Sequence, residues 1–334
     1  MRKIRWGVLS TALIGIEKVI PAIRRSQRGE VAAIASRDLS RAEAAAKELG
    51  IARAYGSYAE LLADPDIDAV YNPLPNNLHV EMTLEAVAAG KPVLCEKPFA
   101  MNAEEAERLR DIDPDIPVME AFMVRFHPQW LWAREQVRAG LLGELRAIQT
   151  FFSYTNLDPG NIRNKLEAGG GALLDIGCYP TVISRFLFDS EPEQVFALIE
   201  RDPTFGTDRL VTAILDFGRG RRSDFTVSTQ VTSYQRVHVV GTKARLEVEI
   251  PFNAPQGEET RVYIDDGEVL GDGGRKMHKL PASDHYAEQC DAFARAVLGE
   301  EKLPYGVEDG IKMMRIIDAL FRSGESGRWE QPGG

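Results

Sequence analysis

Cysteine is scarce in this sequence, with three residues among 334. Cys95, Cys178 and Cys290 are widely spaced and odd in number, which argues against both a disulfide framework and a zinc site. Reduced thiols of this kind are typical of a cytoplasmic protein. No apolar run approaches the ~20 residues of a membrane span. The basic start of the chain leads into a strand-like run and no small-residue cleavage site follows, so a secretory signal is not expected.

Basic residues are in the minority, with 40 Lys and Arg against 50 Asp and Glu and a formal net charge of -10. Nucleic acids and anionic membranes attract basic surfaces, so we expect neither as the main partner, while a local basic pocket stays compatible with this balance. With 44% hydrophobic residues, a chain of this length predicts a soluble globular protein of two domains.

Residues 1–122 alternate short apolar runs with helical patterns. This alternation predicts an α/β domain with a doubly wound parallel sheet, the Rossmann architecture that binds dinucleotides. The predicted strands are Ile4–Leu9, Val31–Ser36, Ala69–Tyr71, Val93–Cys95 and Val118–Ala121, and the predicted helices are Gly15–Arg25, Ser40–Leu49 with Ser40 as N-cap, one beginning at Tyr58–Leu62, His79–Ala89 and Ala103–Asp111.

Residues 123–334 contain consecutive strand patterns with few helices between them. Such a run predicts a second domain, of the α+β class, with an open, mostly antiparallel sheet. The Gly- and Asp-rich stretch from Asp265 to Asp284 is predicted as a loop or short hairpin. The predicted strands lie within Leu145–Tyr154 and Gln194–Ile250, and the predicted helices are Gln129–Ala139, Cys178–Phe188, Tyr286–Leu298 and Val307–Arg322.

The turn after the first strand lacks most of the glycines of a dinucleotide-binding fingerprint. It reads GVLSTALIGIEKV, with Ser10, Ala12 and Gly15 at the fingerprint positions. Small residues leave room for a pyrophosphate, and the following helix offers it unpaired N–H groups. A turn that serves packing only is the alternative. The predicted cofactor contacts here are Ser10, Thr11, Ala12 and Ile14.

The end of the second strand reads IASRDLSRA. An acidic residue at this position commonly binds the ribose of NAD, whereas Ser36 and Arg37 suit the 2′-phosphate of NADP. Arg41, one helical turn further on, adds a second candidate contact. We therefore predict NADP as the cofactor, with NAD as the alternative if Asp38 binds the ribose.

Three separated segments carry a family resemblance: YNPLPNNLHVEMTLEAVAAGKPVLCEKP, MEAFMVRFHPQ and GGGALLDIGCYP. Together they resemble the glucose-fructose oxidoreductase, inositol dehydrogenase and MocA family over almost the whole chain. The resemblance implies an N-terminal Rossmann domain over residues 1–122 and a C-terminal domain over residues 123–334 that binds substrate and whose open sheet forms the oligomer interface. A homodimer or homotetramer through that sheet is therefore expected.

The resemblance also implies catalytic roles. Lys97 of the Glu-Lys-Pro triplet points into the active site of such enzymes, and the Lys97–Pro98 bond is expected to be cis. Many members have a histidine where this chain has Tyr179, which narrows the resemblance to glucose-fructose oxidoreductase, NADP-linked xylose dehydrogenases and dimeric dihydrodiol dehydrogenase. Tyr179 is then the expected general base.

The residue types fit this chemistry. A tyrosine with its ordinary pKa of ~10 is a poor base, and a cation within about 4–6 Å lowers that pKa. Lys97 is the candidate cation. Asp175 precedes Tyr179 by one helical turn and would bind a substrate hydroxyl or steady Lys97. The other predicted cofactor contacts are Pro73, Leu74, Asn76, His79, Glu96 and Arg125, and the other predicted substrate contacts are Asn161 and Arg163.

We predict an NADP-dependent dehydrogenase that oxidises the anomeric hydroxyl of an aldose, such as xylose or glucose, to the lactone. Oxidation of a trans-dihydrodiol is the alternative reaction. Two further alternatives are a cofactor-sensing protein without catalysis and cofactor recycling between two sugars. The sequence predicts no metal site.

Overall fold

The computed structural model describes residues 2–271 and 273–333, and the chain divides into two compact units. The first unit consists of two chain segments, one that ends at Met123 and a later one, Asp284–Ile311. The other comprises Val124–Ser283 and the chain from Lys312 onward. Among the described residues, none of the helices is both long and apolar enough to cross a lipid bilayer.

The first unit contains a six-stranded sheet in the order β3-β2-β1-β4-β5-β6, with every pair parallel. This is the doubly wound order of a Rossmann domain, as predicted. Its strands are β1 (Ile4–Leu9), β2 (Gly29–Ala35), β3 (Arg53–Tyr55), β4 (Ala69–Asn72), β5 (Val93–Cys95) and β6 (Val118–Glu120), and its connecting helices are α1 (Ile20–Arg25), α2 (Leu39–Leu49), α3 (Tyr58–Ala63), α4 (His79–Ala88) and α5 (Ala103–Glu107).

Burial explains these strands. β4 and β5 are buried along their whole length, as expected for strands covered on both faces. Asn102 caps α5 with its side-chain oxygen, and Ser57 caps α3 in the same way. β3 was not predicted, because its three residues are all only half-buried and carry no apolar run.

The second unit contains an eight-stranded sheet in the order β14-β13-β12-β11-β7-β10-β9-β8. Its pairs are antiparallel except for β7 with β10, so the sheet is mostly antiparallel, as predicted. The stretch after Asp265 contributes one strand of a hairpin. The elements are α6 (Pro128–Arg138), β7 (Leu145–Thr155), α7 (Cys178–Phe188), β8 (Gln194–Arg201), β9 (Asp208–Asp216), β10 (Arg222–Ser228), β11 (Gln230–Gly241), β12 (Arg245–Val248), β13 (Thr260–Asp265) and β14 (Lys276–Leu280).

The chain returns to the first unit near its end, which corrects the predicted boundary of 1–122 and 123–334. Helix α8 (His285–Val297) belongs to the Rossmann unit, and α9 (Val307–Ser326) begins there. Phe293 of α8 packs on Trp6 with ring centroids 5.4 Å apart, and Asp291 accepts two backbone N–H groups before β2. The sequence pattern shows an amphipathic helix here but not which sheet it covers.

Candidate active site

The turn after β1 has a serine with a positive φ at the position of the first fingerprint glycine. Ser10 has a φ of +92°, a region that glycine adopts at no cost and that costs other residues about 1–3 kcal/mol. Its hydroxyl accepts a hydrogen bond from the N–H of Ala12 at 3.2 Å, and its own N–H donates to Ala35. The serine side chain thus stabilises the turn that its backbone strains.

A π turn over Gly15–Val19 opens the helix that follows this loop. The cap residue, Ile14, contributes no side-chain hydrogen bond to the helix N-terminus. Thr11 and Ala12 are half-buried, as is Ile14. A small-residue turn in front of a helix N-terminus fits the pyrophosphate of a dinucleotide, so the predicted contacts share one loop.

Two guanidinium groups follow β2. Arg37 and Arg41 are both exposed. Burial raises the pKa of Tyr58, and the charges of Arg37 and Arg41 both oppose that rise, which places them in one neighbourhood. Two cations in one neighbourhood fit a 2′-phosphate dianion. Ser36 is buried and accepts the N–H of Asp38 at 3.2 Å, so its hydroxyl shapes the turn.

Asp38 is the N-cap of α2, whereas the sequence predicted Ser40. The carboxylate of Asp38 accepts the N–H of Ser40 at 3.0 Å and its hydroxyl at 2.7 Å. These bonds, the hydroxyl first, hold the pKa of Asp38 below its ordinary value. A carboxylate bonded in this way serves the helix, which favours Arg37 over Asp38 as the cofactor contact.

Polar groups gather where β4 and β5 end. The buried phenol of Tyr71 donates to Oε1 of Glu96 at 2.7 Å, which fixes the side chain that starts the Glu-Lys-Pro triplet. The Lys97–Pro98 peptide bond is cis, as expected, and Lys97 is half-buried. Glu120, at the end of β6, accepts the N–H of Phe99 at 2.8 Å. Three strand ends therefore shape the segment that carries Lys97.

His79 ties two of these segments together. Its Nδ1 lies 2.7 Å from the carbonyl oxygen of Pro98, and its Nε2 lies 2.7 Å from that of Leu74. The ring is 1% exposed, and burial lowers the pKa of His79 to about 4. Because both ring nitrogens face backbone carbonyls, this placement gives His79 an indirect role: it orders the turn that contains Pro73 and Leu74. Asn76 lies half-buried in a short 3-10 helix just after that turn.

Tyr286 of α8 belongs to the same region of the first unit. Burial raises the pKa of Tyr286, the charge of Glu96 adds to this, and the charge of Lys97 opposes it. The His285 ring lies edge-on to Tyr286 with centroids 4.7 Å apart. The Glu-Lys-Pro segment is therefore bordered by the phenols of Tyr71 and Tyr286.

A second set of polar groups lies at the start of one helix in the second unit. The chain makes a π turn over Leu173–Gly177 and continues as α7. Asp175, in the π turn, accepts at Oδ2 the hydroxyl of Tyr154 at 2.5 Å and Nε of Arg163 at 3.0 Å. The negative charge of Asp175 makes the largest contribution to the raised pKa of Arg163. π turns within helices are frequent at functional sites.

Tyr179 follows Asp175 by four residues and shares its helical face. Its side chain is 8% exposed. The ring packs edge-on against Phe152 with centroids 5.9 Å apart, and it is tilted against Phe252 with centroids 5.4 Å apart. Tyr179 also contributes to the raised pKa of Arg163. The structure thus brings together Tyr154, Arg163, Asp175 and Tyr179, which we term the Asp175 cluster.

The glycine triplet before this helix has a separate steric reason at each position. Gly169 has a φ of +77° and ends a short 3-10 helix. A Cβ on Gly170 would lie 2.5 Å from the carbonyl oxygen of Arg163. Gly171 has a φ of +125°, and a Cβ there would lie 1.9 Å from Oδ1 of Asp208. The triplet therefore lets the Arg163 segment and Asp208 approach the start of the helix.

Two family models match this chain. Residues 4–114 match the oxidoreductase family with an NAD-binding Rossmann fold, and residues 130–247 match the GFO/IDH/MocA C-terminal domain. The chain belongs to the GFO/IDH/MocA oxidoreductase family. This confirms the resemblance seen in the three sequence segments.

Several family members resemble the chain over most of its length. D-xylose 1-dehydrogenase (NADP(+)) 2 from Haloferax volcanii is 39% identical, with 96% of this chain and 98% of the relative covered. Trans-1,2-dihydrobenzene-1,2-diol dehydrogenase from Bos taurus is 35% identical, with 75% and 76% covered. The crystal structure of a 3-ketoreductase from Actinomadura kijaniata in complex with NADP and TDP-benzene has a TM-score of 0.89 at 31% identity, with 96% and 98% covered.

Two further predicted ligand contacts of this GFO/IDH/MocA member, Asn161 and Arg125, lie in or next to short 3-10 segments. Asn161 caps a 3-10 helix by accepting the N–H of Arg163 at 3.0 Å, so it places the guanidinium of the Asp175 cluster. Arg125 is 3% exposed and lies in a 3-10 turn over Met123–Phe126. Contact of either residue with a ligand stays a prediction.

The sequence prediction did not include Tyr71, Tyr154 and Asp208 among the site residues. Tyr71 is the penultimate residue of a buried strand, near the carboxyl edge of a parallel sheet, a position that signals ligand binding in this family's fold. Tyr154 and Asp208 carry no such signal, because only the pairing of β7 and β9 with their neighbours brings them to the helix that holds Asp175.

Proposed function

We propose that this protein is an NADP-dependent dehydrogenase that oxidises the anomeric hydroxyl of an aldose to the lactone. The observation that carries the proposal is the Asp175 cluster, where a carboxylate and a phenol four residues apart share one face of a helix. When bound, NADP supplies a nicotinamide ring that accepts a hydride from the substrate carbon. The protein's own residues supply binding and proton transfer.

Tyr179 is the proposed general base, and Lys97 supplies the positive charge that assists it. Asp175 accepts a hydrogen bond from a substrate hydroxyl, and the phenol of Tyr154 and the guanidinium of Arg163 hold that carboxylate in place. Variants of the Actinomadura 3-ketoreductase in which a tyrosine is replaced by phenylalanine, or a lysine by alanine or glutamate, have been solved with NADP and TDP-benzene, which is in line with the choice of these residue types.

NADP is the proposed cofactor over NAD. Arg37 and Arg41 both lie near Tyr58, whereas the carboxylate of Asp38 is bonded to Ser40. The relative from Haloferax volcanii is named as an NADP(+) enzyme, which supports the same choice. Ser10 to Ile14 and the turn held by His79 would bind the rest of the cofactor.

Tyr179→Phe is predicted to lower kcat by about a hundredfold or more, because general acid–base catalysis typically contributes 10²–10⁴-fold. Tyr154→Phe is the matched control: it removes a phenol that holds Asp175 but leaves the proposed base. We expect it to lower kcat by only about tenfold, the low end of what a hydrogen bond to a charged group contributes, because Arg163 still bonds the carboxylate. Steady-state kinetics with xylose and NADP would measure both, and full turnover by Tyr179→Phe would remove Tyr179 from the mechanism.

A substrate screen tests the reaction itself. Initial rates of NADP reduction would be measured with xylose, glucose and a trans-dihydrodiol, and again with NAD. We expect the highest kcat/KM for an aldose with NADP. A preference for the diol would instead support the alternative activity, which the bovine relative is named for. No turnover with any sugar or diol would contradict both.

We further propose a homodimer or homotetramer through the open sheet of the second unit. Leu198 pairs with Thr212, Thr212 with Thr226, and Thr226 with Phe151, so these side chains lie in one row on one face. Leu198 on β8 is 64% exposed, and Tyr234 on β11, which pairs with β7, is 48% exposed. Light scattering after gel filtration should give a dimer or tetramer that Leu198→Asp converts to smaller species; a monomeric wild type would refute it.

A cytoplasmic location is also proposed. Cys95, Cys178 and Cys290 are all buried thiols and not disulfides, which fits a reducing compartment. Cell fractionation followed by immunoblotting would test this, and recovery from an oxidising compartment would contradict it.

A further inference from the structure

A buried carboxylate lies at the start of the helix that carries the Asp175 cluster. Asp208 opens β9 and is 1% exposed. Its Oδ2 accepts the backbone N–H of Leu173 at 2.6 Å, and its Oδ1 lies where a side chain on Gly171 would be. Asp208 is outside the proposed reaction, so its burial at this place needs its own explanation.

The residue at the N-cap of this helix does not cap it. That residue is Ala172, which makes no side-chain hydrogen bond to the helix. The first N–H groups of a helix have no partner within the helix, and its dipole favours a negative charge at this end. The carboxylate of Asp208, on a neighbouring strand, supplies that charge. It does so at Leu173, which precedes Asp175 by two residues.

Stability alone is a poor explanation of this carboxylate. Moving an ionised carboxylate into the interior is costly, and burial raises the pKa of Asp208 to about 6, although the N–H groups of Leu173 and Ala172 and the charge of Arg201 act in the opposite direction. A helix cap can be supplied at lower cost by a residue at the N-cap itself, such as serine or asparagine.

We propose that Asp208 is a positioning residue, which fixes the first turn of the helix from β9 and thereby sets the orientation of Asp175 and Tyr179. The bond to Leu173 anchors the π turn in which Asp175 lies, and Tyr179 follows on the same helical face. Gly171 makes this approach possible. Where the effect on turnover is concerned, the inference rests on the proposed function.

The test compares Asp208→Asn with Ser223→Ala. Asparagine keeps the shape of Asp208 and one acceptor but loses the charge and one acceptor oxygen. Ser223 is also fully buried and also bonds this helix from a neighbouring strand, at 2.6 Å from the hydroxyl of Ser184, but far from its first turn. The measurements are kcat and KM for the aldose, the Kd of NADP, the Tm, and amide hydrogen exchange across the helix.

We expect Asp208→Asn to lower kcat at least tenfold while the Kd of NADP changes less than twofold and the Tm changes by no more than a few degrees. Amide exchange should accelerate at residues 173–179 and stay unchanged in the second half of α7. Ser223→Ala should lower the Tm and leave kcat near the wild-type value. This split separates positioning from a general loss of stability.

Wild-type kcat in Asp208→Asn would overturn the inference, provided that the wild type turns over an aldose or diol. If kcat falls in proportion to the loss of Tm in both variants, Asp208 has a structural role only, and this outcome would also overturn the inference. If the wild type has no turnover, the proposed function fails first. Unchanged exchange at residues 173–179 would then still refute the anchoring role of Asp208.

Discussion

Two helices in the described part of the chain begin with a π turn, and they differ in what lies before their N-termini. The turn over Gly15–Val19 follows a loop of small residues, and its cap residue adds no side-chain bond. The turn over Leu173–Gly177 receives the buried carboxylate of Asp208. A helix N-terminus favours an anion in both cases. We propose that a cofactor phosphate fills the first position and that the protein's own carboxylate fills the second.

The backbone before the two helices differs in a related way. The first loop places a serine at a φ of +92°, and the second places a glycine at +125°. Ser10 has room for its side chain and uses it for a hydrogen bond, whereas Gly171 has none because Asp208 lies against it. Both positions carry the backbone cost of a positive φ, but only at Gly171 does a neighbouring side chain also occupy the space that a Cβ would need.

The largest effect on stability is predicted for Gly171→Ala. A residue other than glycine at this φ costs about 1–3 kcal/mol, and the new Cβ would also collide with Oδ1 of Asp208. Gly140→Ala is the matched control, since Gly140 has a φ of +74° in the same unit and a Cβ added to it would meet no atom within 4 Å. Urea unfolding should show a clearly larger loss for Gly171→Ala. Equal losses would mean that Asp208 does not crowd Gly171.

A smaller effect is predicted for the pH dependence of the second helix start. Asp208 has a folded pKa of about 6 against an ordinary value of 3.8, so the folded protein binds its proton first. Above about pH 6 the carboxylate is ionised in the folded protein, and its burial then lowers the free energy of unfolding by the full amount. As the pH falls from 6 towards 4, the free energy of unfolding rises again by roughly 1.4 kcal/mol for each pH unit.

The difference in unfolding free energy between the wild type and Asp208→Asn isolates this group. In urea titrations, this difference should shift in favour of the wild type as the pH is lowered from 8 to 5. The charge of Arg201 is present in both proteins and does not contribute to the shift. A difference that is the same at both pH values would show that Asp208 does not titrate in this range.

In the loop after β2, Arg37→Ala is predicted to raise the Kd of NADP about 10- to 100-fold, since a hydrogen bond to a charged group contributes about 1.5–3 kcal/mol. The Kd of NAD should change little because NAD lacks the 2′-phosphate. Arg108→Ala, which removes an exposed guanidinium paired with Glu81 in the same unit, controls for the loss of charge. Isothermal titration would measure each Kd, and equal effects on both cofactors would refute the 2′-phosphate role.

The smallest effect is predicted for Ser10→Gly. Glycine relieves the strained φ but loses the bond to Ala12 and gains freedom in the unfolded chain, a cost of about 0.5–1 kcal/mol. The free energy of unfolding should therefore change by less than about 1 kcal/mol, and NADP should still bind. A large loss of stability would show that the serine hydroxyl, and not the small size of the residue, maintains this loop.

Much of the fold follows from local patterns in the sequence. Short, mostly apolar runs predict β1, β4, β5 and β6, because strands covered on both faces of a parallel sheet are rich in apolar residues. β3 carries no such run and was not predicted. The N-cap of α2 is Asp38 and not the predicted Ser40, since either side chain can cap a helix and only the backbone angles decide between them.

Local sequence was enough to establish the Rossmann unit, the family, and Lys97, Asp175 and Tyr179 as site candidates, because these depend on residues close together in the chain or on motifs that recur in the family. Long-range packing had to be seen before Tyr154 and Arg163 could be placed on Asp175, Asp208 at the start of the helix, and α8 in the first unit. The hydrogen bonds concerned join residues 12 to 264 positions apart in the chain. Strand pairing and helix packing set which side chains meet over such separations, and neither is encoded in a short stretch of sequence.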